Sequence, residues 1–567
     1  MVNVKNLFGM AVMATALVGC ASNDDLNPNA NEGAGKAGTA YAKFTIQLPT
    51  VSGTRADDPK PGTPSFEGGT ADEYAVKNAQ LVIFEKSGAS EGDYTFVETV
   101  NIGNLEPWND QKSEGVTRYA NITAQLTNVT VDNTGKYFAL VILNNDGGSK
   151  VTLPTTTTEK TTYSKWNVAT NANGASFLNN TDGFYMANAP KYVAGGEPTT
   201  LVPIKGVYST KAEAQNKPAT TVYVERGMAK VTIGSSTFDA NKDVTTSTNY
   251  DGDKVTITNW TLDVLNKTTF PVHKTDGLKT IWNQDWAGRF FDNTSKEFKR
   301  VYWGVDPNYS GSTLSDIKAC KGQFYLVDPS GSSYNDNTQT FTWSTKDKPL
   351  YCLENTFDID NMKQGQTTRV LFKATYIPAA VAKEKDKTFF MIGKNPKIWT
   401  KTTLEQQITN KVMELLKSKS VSVKINAGAD LLKAGSHKVT AADITITGST
   451  APLNYDDLNT KLGLDNTTAI KTYENGECYY IARIKHFNEL TPWASGQAYG
   501  SDNEKYLGRY GVLRNNWYEL TVSKVSAPGY PDVPVVNPDV PDDEDTKFIN
   551  VEVKILDWAK RTQQVDL

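Results

Sequence analysis

Two segments, one near each end of the chain, alternate apolar and polar residues with strict regularity. The first spans residues 42–48 and the second residues 549–555. Strict alternation over seven residues is typical of a half-buried strand, because successive side chains of a strand point to opposite faces. Their apolar positions are Ala42, Phe44, Ile46 and Leu48 in the first, and Ile549, Val551, Val553 and Ile555 in the second. Each segment therefore fits a strand position in which one face of the strand packs on an apolar core, so the two segments look interchangeable.

The surroundings of the two segments differ. Residues 51–59, which follow the first, are rich in turn-forming residues and contain Arg55. Because proteolysis concentrates at loops of small polar residues, a trypsin-like cut after Arg55 is sterically easy. Residues 527–546, which precede the second, hold five prolines and six acidic residues without a Lys or Arg. This composition predicts an extended, solvated linker.

These features together predict a subunit that polymerises by exchanging strands. One strand can be cut off, and the other can reach a neighbouring molecule, because twenty residues in polyproline geometry span up to about 60 Å. The C-terminal strand of one molecule would then fill the groove vacated in the next. The alternative is that both strands simply belong to the sheets of their own domains.

The bulk composition predicts an all-β protein of more than one domain. A chain of 567 residues is too long for one hydrophobic core. Tyr and Thr are abundant, Gly is common and long helical periodicities are scarce, which favours strands. The net charge of -4 comes without a basic stripe, which argues against nucleic acid as a partner.

The N-terminus has the pattern of a secretory signal. Lys5 precedes an apolar run over residues 7–18, which fits the short hydrophobic region of a signal peptide. The run ends in Leu17-Val18-Gly19-Cys20, which resembles the lipobox of bacterial lipoproteins, in which the cysteine becomes the lipidated first residue. The alternative is an ordinary signal peptide with an incidental cysteine. Residues 21–39 are rich in Asn, Asp, Gly and Ala and read as a flexible tether.

The interior of the chain is dominated by strand patterns. Residues 81–84 and 137–143 are continuous apolar runs, which predict strands at the centre of a sandwich. Residues 222–233 alternate on even positions before Gly227 and on odd positions after it, which indicates a bulge or bend at this glycine. We place a boundary between two domains near residue 236.

One segment predicts a helix that packs on a sheet edge. Leu404, Ile408, Val412 and Leu415 fall on one helical face. Thr402 and Glu405 have the spacing of a capping box at its start.

No constellation of residues predicts catalysis. Gly88-Ala89-Ser90-Glu91-Gly92 matches a nucleophile-elbow motif, but it lies between two predicted strands and reads as a hairpin loop. The histidines and the remaining cysteines are scattered, and their spacing fits no metal site, Cys–His pair or disulfide framework. They are His273, His437, His486, Cys320, Cys352 and Cys478. We therefore predict no catalytic residue, no cofactor, no metal site and no enzymatic activity.

Several segments, in this order along the chain, resemble those of a fimbrillin, the shaft subunit of type V pili of Bacteroidetes-type bacteria. They are most similar to the major subunit of the short, or minor, fimbriae. The segments are Leu17-Val18-Gly19-Cys20, Arg55-Ala56, Val222-Tyr223-Val224-Glu225-Arg226, Ala229-Lys230-Val231, Tyr351-Cys352-Leu353-Glu354-Asn355-Thr356, Tyr479-Tyr480-Ile481-Ala482-Arg483, Leu513-Arg514-Asn515-Asn516-Trp517-Tyr518-Glu519-Leu520, and Val551-Glu552-Val553 through Trp558.

The resemblance implies an all-β fold with few helices, in which two β-sandwich domains of transthyretin-like or Greek-key type stand in tandem before a C-terminal donor strand. It implies a signal peptide over residues 1–19 and a propeptide over 20–55 that carries the removable strand. The two domains would then span 56–236 and 237–526, and the linker with its donor strand 527–567. Cys20 would carry the lipid, including palmitate, and Arg55-Ala56 would be the cleaved bond.

The resemblance further implies a surface fimbria that supports adhesion and biofilm formation. The expected partners are copies of the same chain, anchor and tip subunits, an Arg-specific maturation protease, and host or bacterial surface receptors, but no nucleic acid. Export would run through the periplasm and outer membrane as a lipidated precursor. The alternative is a monomeric surface lipoprotein that acts as an adhesin, a pilus anchor or a tip subunit.

Overall fold

A computed structural model describes the greater part of the chain. The described residues are 39–49, 70–103, 105, 109–110, 116–155, 161–171, 177, 182–193, 197–244, 249–276, 278, 287–291, 299–310, 314, 316–487, 501–543 and 549–557.

Strands dominate the described residues, which confirms the all-β class. The strands up to Gly227 are β1 (Ala40–Pro49), β2 (Ala79–Glu85), β3 (Thr95–Gly103), β4 (Asn109–Asp110), β5 (Val116–Leu126), β6 (Tyr137–Leu143), β7 (Thr170–Asn171), β8 (Met186–Asn188), β9 (Val202–Pro203) and β10 (Thr220–Arg226).

The later strands are β11 (Met228–Ile233), β12 (Lys242–Asp243), β13 (Lys254–Asp263), β14 (Leu265–Asn266), β15 (Thr268–Thr269), β16 (Phe324–Tyr325), β17 (Leu350–Leu353), β18 (Arg369–Ile377), β19 (Phe389–Ile392), β20 (Ile398–Trp399), β21 (Ser422–Ile425), β22 (Gly435–His437), β23 (Ile444–Thr447), β24 (Ile470–Tyr473), β25 (Glu477–Arg483), β26 (Asn516–Val525) and β27 (Ile549–Asp557). The α-helices are α1 (Ala71–Tyr74), α2 (Tyr163–Trp166), α3 (Lys211–Gln215), α4 (Ile317–Gln323), α5 (Lys401–Leu416) and α6 (Tyr455–Lys461).

The largest sheet in the described part of the chain runs in the order β3-β2-β6-β8-β10-β1-β5-β4, with β9 on the side of β6. Its central strands β2 and β6 are buried on both faces, which explains why their sequences are continuous apolar runs. The predicted strands at 81–84 and 137–143 are confirmed.

The chain passes from one sheet to another at Gly227. Strand β10 ends at Arg226 in the first sheet, and β11 begins at Met228 in a second sheet of order β17-β11-β26-β27. A side chain at Gly227 would lie 2.8 Å from the Phe177 ring and 2.9 Å from the Tyr185 ring, so only glycine fits. The predicted bend is confirmed at this residue, whereas the domain boundary near residue 236 stays a prediction.

The second half of the chain packs two four-stranded sheets on one core. The sheet of β11 and β26 faces the sheet of order β12-β13-β18-β25, and side chains from both sheets share one buried cluster. Val231, Trp260, Phe372, Tyr480 and Leu520 are among its members. The tandem arrangement of two sandwich domains remains a prediction.

A smaller unit with its own core interrupts the second half between β18 and β25. It comprises β19 to β24 with α5 and α6, and Leu404, Ile408 and Val412 of α5 are buried in it. The predicted helix is confirmed, but its predicted cap is wrong. The helix is capped by Thr400, whose hydroxyl accepts a bond from the Thr403 backbone nitrogen. Glu405 instead turns to the neighbouring β21 and accepts a bond from the Ile425 nitrogen at 3.0 Å.

The proline-rich segment before β27 is packed against the body as far as Asp543, so the expectation of a solvated linker is wrong for residues 527–543. Val533 and Val536 are buried, and the carboxyl groups of Asp542 and Asp543 are 1% and 4% exposed. We call residues 526–543 the strap. The acidic composition of the strap does not predict this packing, because the residues that bind the strap come from distant parts of the chain.

The buried carboxyl group of Asp542 predicts a pH dependence of stability. Burial raises the pKa of Asp542 to about 7, against the opposing effects of Arg483, Thr367 and Arg509. Because an unfolded Asp has a pKa of about 3.9, the folded protein prefers the protonated form, and the stability from this preference is lost as the pH rises toward the folded pKa.

We therefore expect Asp542→Asn, which stays neutral, to gain stability relative to wild type as the pH rises from about 5 to about 8. Urea denaturation midpoints measured across this range for both proteins check the prediction. Asp539→Asn, an exposed carboxyl on the same strap, is the matched control and should track wild type at every pH. A difference between Asp542→Asn and wild type that does not change with pH contradicts the prediction.

Candidate functional site

The first predicted segment lies in β1, which occupies a slot between two other strands of the large sheet. β1 pairs antiparallel with β5 from Ala40 opposite Leu126 to Pro49 opposite Val116. On its other side it pairs parallel with β10 from Phe44 opposite Thr220 to Gln47 opposite Tyr223. Without β1, both β5 and β10 would have an unpaired edge there, a situation that proteins normally avoid.

The apolar face of β1 is completely covered. Ala42, Phe44 and Ile46 are 0% exposed and Leu48 is 2% exposed. They pack in one cluster with side chains of the strands around the slot, among them Ile122, Ala124, Leu81, Val141, Val222 and Val224. The slot is therefore an apolar groove as well as a pair of strand edges.

The opposite face of β1 makes polar contacts. Thr45 donates its hydroxyl hydrogen to the Asn121 side-chain oxygen at 2.7 Å. Lys43 reaches the backbone oxygen of Gln215 at the end of α3 at 2.9 Å. These contacts add to the two ladders, and none of them involves a residue before position 40.

The second predicted segment, β27, lies at the edge of its sheet. It pairs antiparallel with β26 from Asn516 opposite Asp557 to Val525 opposite Ile549, with one irregularity. In the described sheet β27 has no second neighbour. The structure therefore pairs Ile549, Val551, Val553 and Ile555 with a strand of their own chain, as in the alternative in which each strand belongs to its own domain.

The chain that follows β1 is anchored where the two sheets meet. The Glu73 carboxylate in α1 is 1% exposed, and its oxygens lie 2.8 Å from Lys230 Nζ and 2.6 Å from the Tyr351 hydroxyl. Arg226 Nε donates to the Glu73 backbone oxygen at 2.8 Å. Burial alone would raise the pKa of Glu73, but the bonds from Lys230 and Tyr351 lower it below its usual value. This anchor holds the chain after residue 70 independently of β1.

Four predicted site residues lie outside the described residues. They are Cys20, Arg55, Ala56 and Trp558. Lipidation at Cys20 and cleavage between Arg55 and Ala56 therefore stay predictions.

Several features that the sequence raised can be checked in the described residues. Among them, no group of three His, Cys, Asp or Glu side chains could hold a metal ion, and no helix is long and apolar enough to cross a membrane. The three cysteines that the structure describes, Cys320, Cys352 and Cys478, are buried and free. Ser90 lies in the connection between the paired strands β2 and β3, which confirms the hairpin loop.

Sequence reasoning missed the contacts that hold the strap. Arg509 and the Tyr510 hydroxyl both reach Asp543, and Thr367 donates to Asp542. The acidic residues of the strap are a signal that basic partners exist. A single sequence does not tell which of its many arginines those partners are.

Comparison with known proteins identifies the C-terminal part of the chain. Residues 471–564 match the family model described as major fimbrial subunit protein type IV, fimbrillin, C-terminal. This part of the chain is fimbrillin-like. The match includes β25, β26, the strap and β27, and it confirms the predicted resemblance to a fimbrillin in this part of the chain. A comparison with curated proteins found no match.

Comparison with solved structures also gives matches, all at low sequence identity. A "putative cell adhesion protein" from Parabacteroides distasonis shares 11% identity over 93% of this chain and 99% of its own, with a TM-score of 0.37. Another so described, from Bacteroides eggerthii, shares 12% over 95% and 100%, with a TM-score of 0.33. The tip fimbrial protein Mfa3 from Porphyromonas gingivalis, with a C-terminal truncation, shares 12% over 92% and 100%, with a TM-score of 0.28. At these TM-scores none of the three decides the function of this chain.

The burial of β1 predicts how strongly it holds the uncut chain together. We expect Phe44→Ala to lower the free energy of unfolding by about 3–5 kcal/mol, because it leaves a cavity in the groove. Urea denaturation of the uncut protein measures the loss. Gln47→Ala, on the outward face of the same strand, is the matched control and should cost far less. Equal losses for the two variants would show that the groove does not depend on the apolar face of β1.

Proposed function

We propose that this protein is the structural subunit of a bacterial surface fimbria, a pilus shaft that polymerises by exchanging its C-terminal strand. The observation that carries the proposal is the slot between β5 and β10, which a single strand upstream of Arg55 fills with a fully buried apolar face. The fimbrillin match over residues 471–564 supports it, because the matched region contains β27. Adhesion and biofilm formation are the roles expected of such a fibre.

The positions of the two strands favour the exchange. β27 has one neighbour in its own described sheet, whereas a strand in the slot of β1 has two. A strand that moves from an edge into such a slot gains a second ladder of hydrogen bonds, which is the energetic basis of β-strand addition. The strand left behind, β26, stays paired with β11 over Lys230–Ile233 and Trp517–Leu520.

The energy available to a donated strand is substantial. Relative to an undocked strand, burial of four Ile and Val side chains stabilises by roughly 1.5–3 kcal/mol each, or about 6–12 kcal/mol together, before ordering costs and the loss of the ladder with β26 are subtracted. About ten ladder hydrogen bonds add roughly 0.5–1.5 kcal/mol apiece, partly offset by the entropy of the ordered strand. The resulting polymer unfolds slowly and is kinetically durable.

Proteolysis would act as the switch. In the uncut chain β1 blocks the slot, and a cut after Arg55 frees β1 to leave, while Glu73 keeps the rest of the chain anchored to both sheets. In this proposal the precursor is exported as a lipoprotein through Cys20, and an Arg-specific protease matures it at the cell surface. Anchor and tip subunits of the same fimbria, together with surface receptors, complete its partners.

A second candidate is a monomeric surface lipoprotein that acts as an adhesin, a pilus anchor or a tip subunit. The pairing of β27 with β26 of the same chain favours it, because such a molecule leaves no strand to donate. N-terminal sequencing of the surface form separates the two candidates. A start at Ala56 excludes the uncut lipoprotein, and a start at Cys20 supports it.

Strand exchange predicts that polymerisation requires both the cut and the apolar face of the last strand. We expect protein cut after Arg55 to form a denaturant-resistant ladder on electrophoresis, and Arg55→Gln, which resists the cut, to stay monomeric. We expect deletion of residues 547–567 to abolish the ladder.

A point variant sharpens this test. Val553→Asp places a charge on the face that would enter the groove and should abolish the ladder, whereas Lys554→Asp, on the opposite face, should retain it. If the electrophoretic ladder persists in both the deletion variant and Val553→Asp, the proposal is wrong.

A further inference from the structure

The strap is bonded to the body along its whole length. It leaves the end of β26 after Val525 and ends at Asp543, six residues before Ile549, where β27 begins beside Val525 again. Its bonds to the body are Tyr480 Oη to the Ala527 oxygen at 3.1 Å, Tyr473 Oη to the Gly529 oxygen at 2.8 Å, Arg369 Nη2 to the Pro534 oxygen at 2.6 Å, and the Gln364 nitrogen to the Val540 oxygen at 2.9 Å.

Close packing accompanies these bonds. Tyr530 exchanges two backbone hydrogen bonds of 2.8 Å with Tyr479 of β25. A side chain at Gly529 would lie 2.2 Å from the Tyr479 oxygen, so the strap approaches the sheet as closely as glycine allows. Val533 and Val536 point inward at 2% and 5% exposed, whereas Val535 between them is 73% exposed. The strap therefore has a defined inner face.

The last two strap residues are the most firmly held. Asp543 accepts from Arg509 Nη2 at 3.2 Å and from the Tyr510 hydroxyl at 2.9 Å. Asp542 donates its backbone hydrogen to the Met362 oxygen at 3.1 Å and accepts from the Thr367 hydroxyl at 3.0 Å. To lift this end would separate a buried ion pair and expose a buried carboxyl group, both of which are costly.

The strap decides how far β27 can travel. If it stays docked, the six residue-to-residue steps from Asp543 to Ile549 limit the reach of β27 to about 20 Å from Asp543. If it lifts off, the 24 steps from Val525 to Ile549 span about 80 Å. The two cases predict different fibres, one with closely abutting bodies and the other with bodies on a long tether.

We propose that the strap stays docked during strand exchange and that Asp543, held by Arg509 and Tyr510, is the fixed point from which the donor strand leaves the body. This inference rests on the proposed function. In it Arg509 is a positioning residue, which sets the distance and direction between neighbouring subunits without touching the donated strand. A second copy of this chain must then present its groove within the short reach of Asp543.

A reversible lock tests the proposal directly. Lys363 and Pro541 face each other as an antiparallel pair flanked by the bonds at Gln364 and Asp542. Facing residues in such a non-hydrogen-bonded position lie about 4.5 Å apart between Cα atoms, within the range of a disulfide. In the full chain with Lys363→Cys and Pro541→Cys, oxidation fastens the strap to the body and reduction frees it.

We expect the locked protein, once cut after Arg55, to polymerise at the same rate as its reduced form and as wild type. Polymerisation that is lost on oxidation and restored by reduction would overturn the proposal, because the strap would then have to lift off. A wild-type chain that never polymerises would instead overturn the proposed function, and this inference with it. The single variant Pro541→Cys controls for the loss of the proline.

A second pair of variants covers the case in which the double-cysteine protein does not fold. We expect Asp543→Asn, which weakens the bond to Arg509, to polymerise but to lose the uniform axial spacing of subunits seen by electron microscopy. Asp539→Asn, an exposed strap residue with the same change of charge, should keep the wild-type spacing. Identical spacing in Asp543→Asn and wild type counts against a fixed exit point at Asp543.

Discussion

The insertion of β1 between β5 and β10 is the constraint on which the rest of the first sheet depends. It joins an antiparallel partner on one side to a parallel partner on the other. Parallel pairing of strands so far apart in sequence requires the intervening chain to cross over and cover the faces. Phe44 and Ile46 accordingly belong to one buried cluster that includes side chains from β2, β5, β6 and β10. β1 thus joins β5 and β4 to the rest of the largest sheet.

In the proposed exchange, the buried charges where the two sheets meet would hold the body together while β1 is replaced. Glu73 holds Lys230 and Tyr351 through its carboxylate, and its backbone oxygen holds Arg226. Lys230 also lies over the ring of Trp517 in β26, 3.7 Å from its centroid. These groups tie the start of the chain after residue 70 to β10, β11, β17 and β26 without using β1. If β1 is exchanged as proposed, a body held in this way would keep its geometry with either its own strand or a donated one in the slot.

Local sequence patterns predict the strands and the bend. Features that depend on contacts with residues far away in sequence, such as the docking of the strap, do not follow from these patterns. The alternation of residues 42–48, the apolar runs of β2 and β6, and the bend at Gly227 are dictated within a few residues and appear as expected. The docked strap does not follow from its own composition. Proline and aspartate favour an extended, hydrated chain, but Arg369 and Arg509, far from them in sequence, bind a backbone oxygen and a carboxylate that would otherwise face water. The cap of α5 differs from the predicted one for a similar reason, because Glu405 accepts a hydrogen bond from Ile425 of β21 instead of taking part in a capping box.

If the strands exchange as proposed, the difference between an edge and a slot would give the exchange a direction that the sequences of the two strands do not. Residues 42–48 and 549–555 have nearly the same pattern, so side-chain burial alone would hardly favour one over the other. In its own chain, however, β27 satisfies one strand edge, and in the slot it would satisfy two, while β26 keeps β11 as its neighbour. A strap that stays docked would add to this gain, because a short tether leaves less chain entropy to lose when the strand is ordered in a neighbour. The same tether would restrict which neighbours the donated strand can reach, so affinity and regular spacing would both come from one feature.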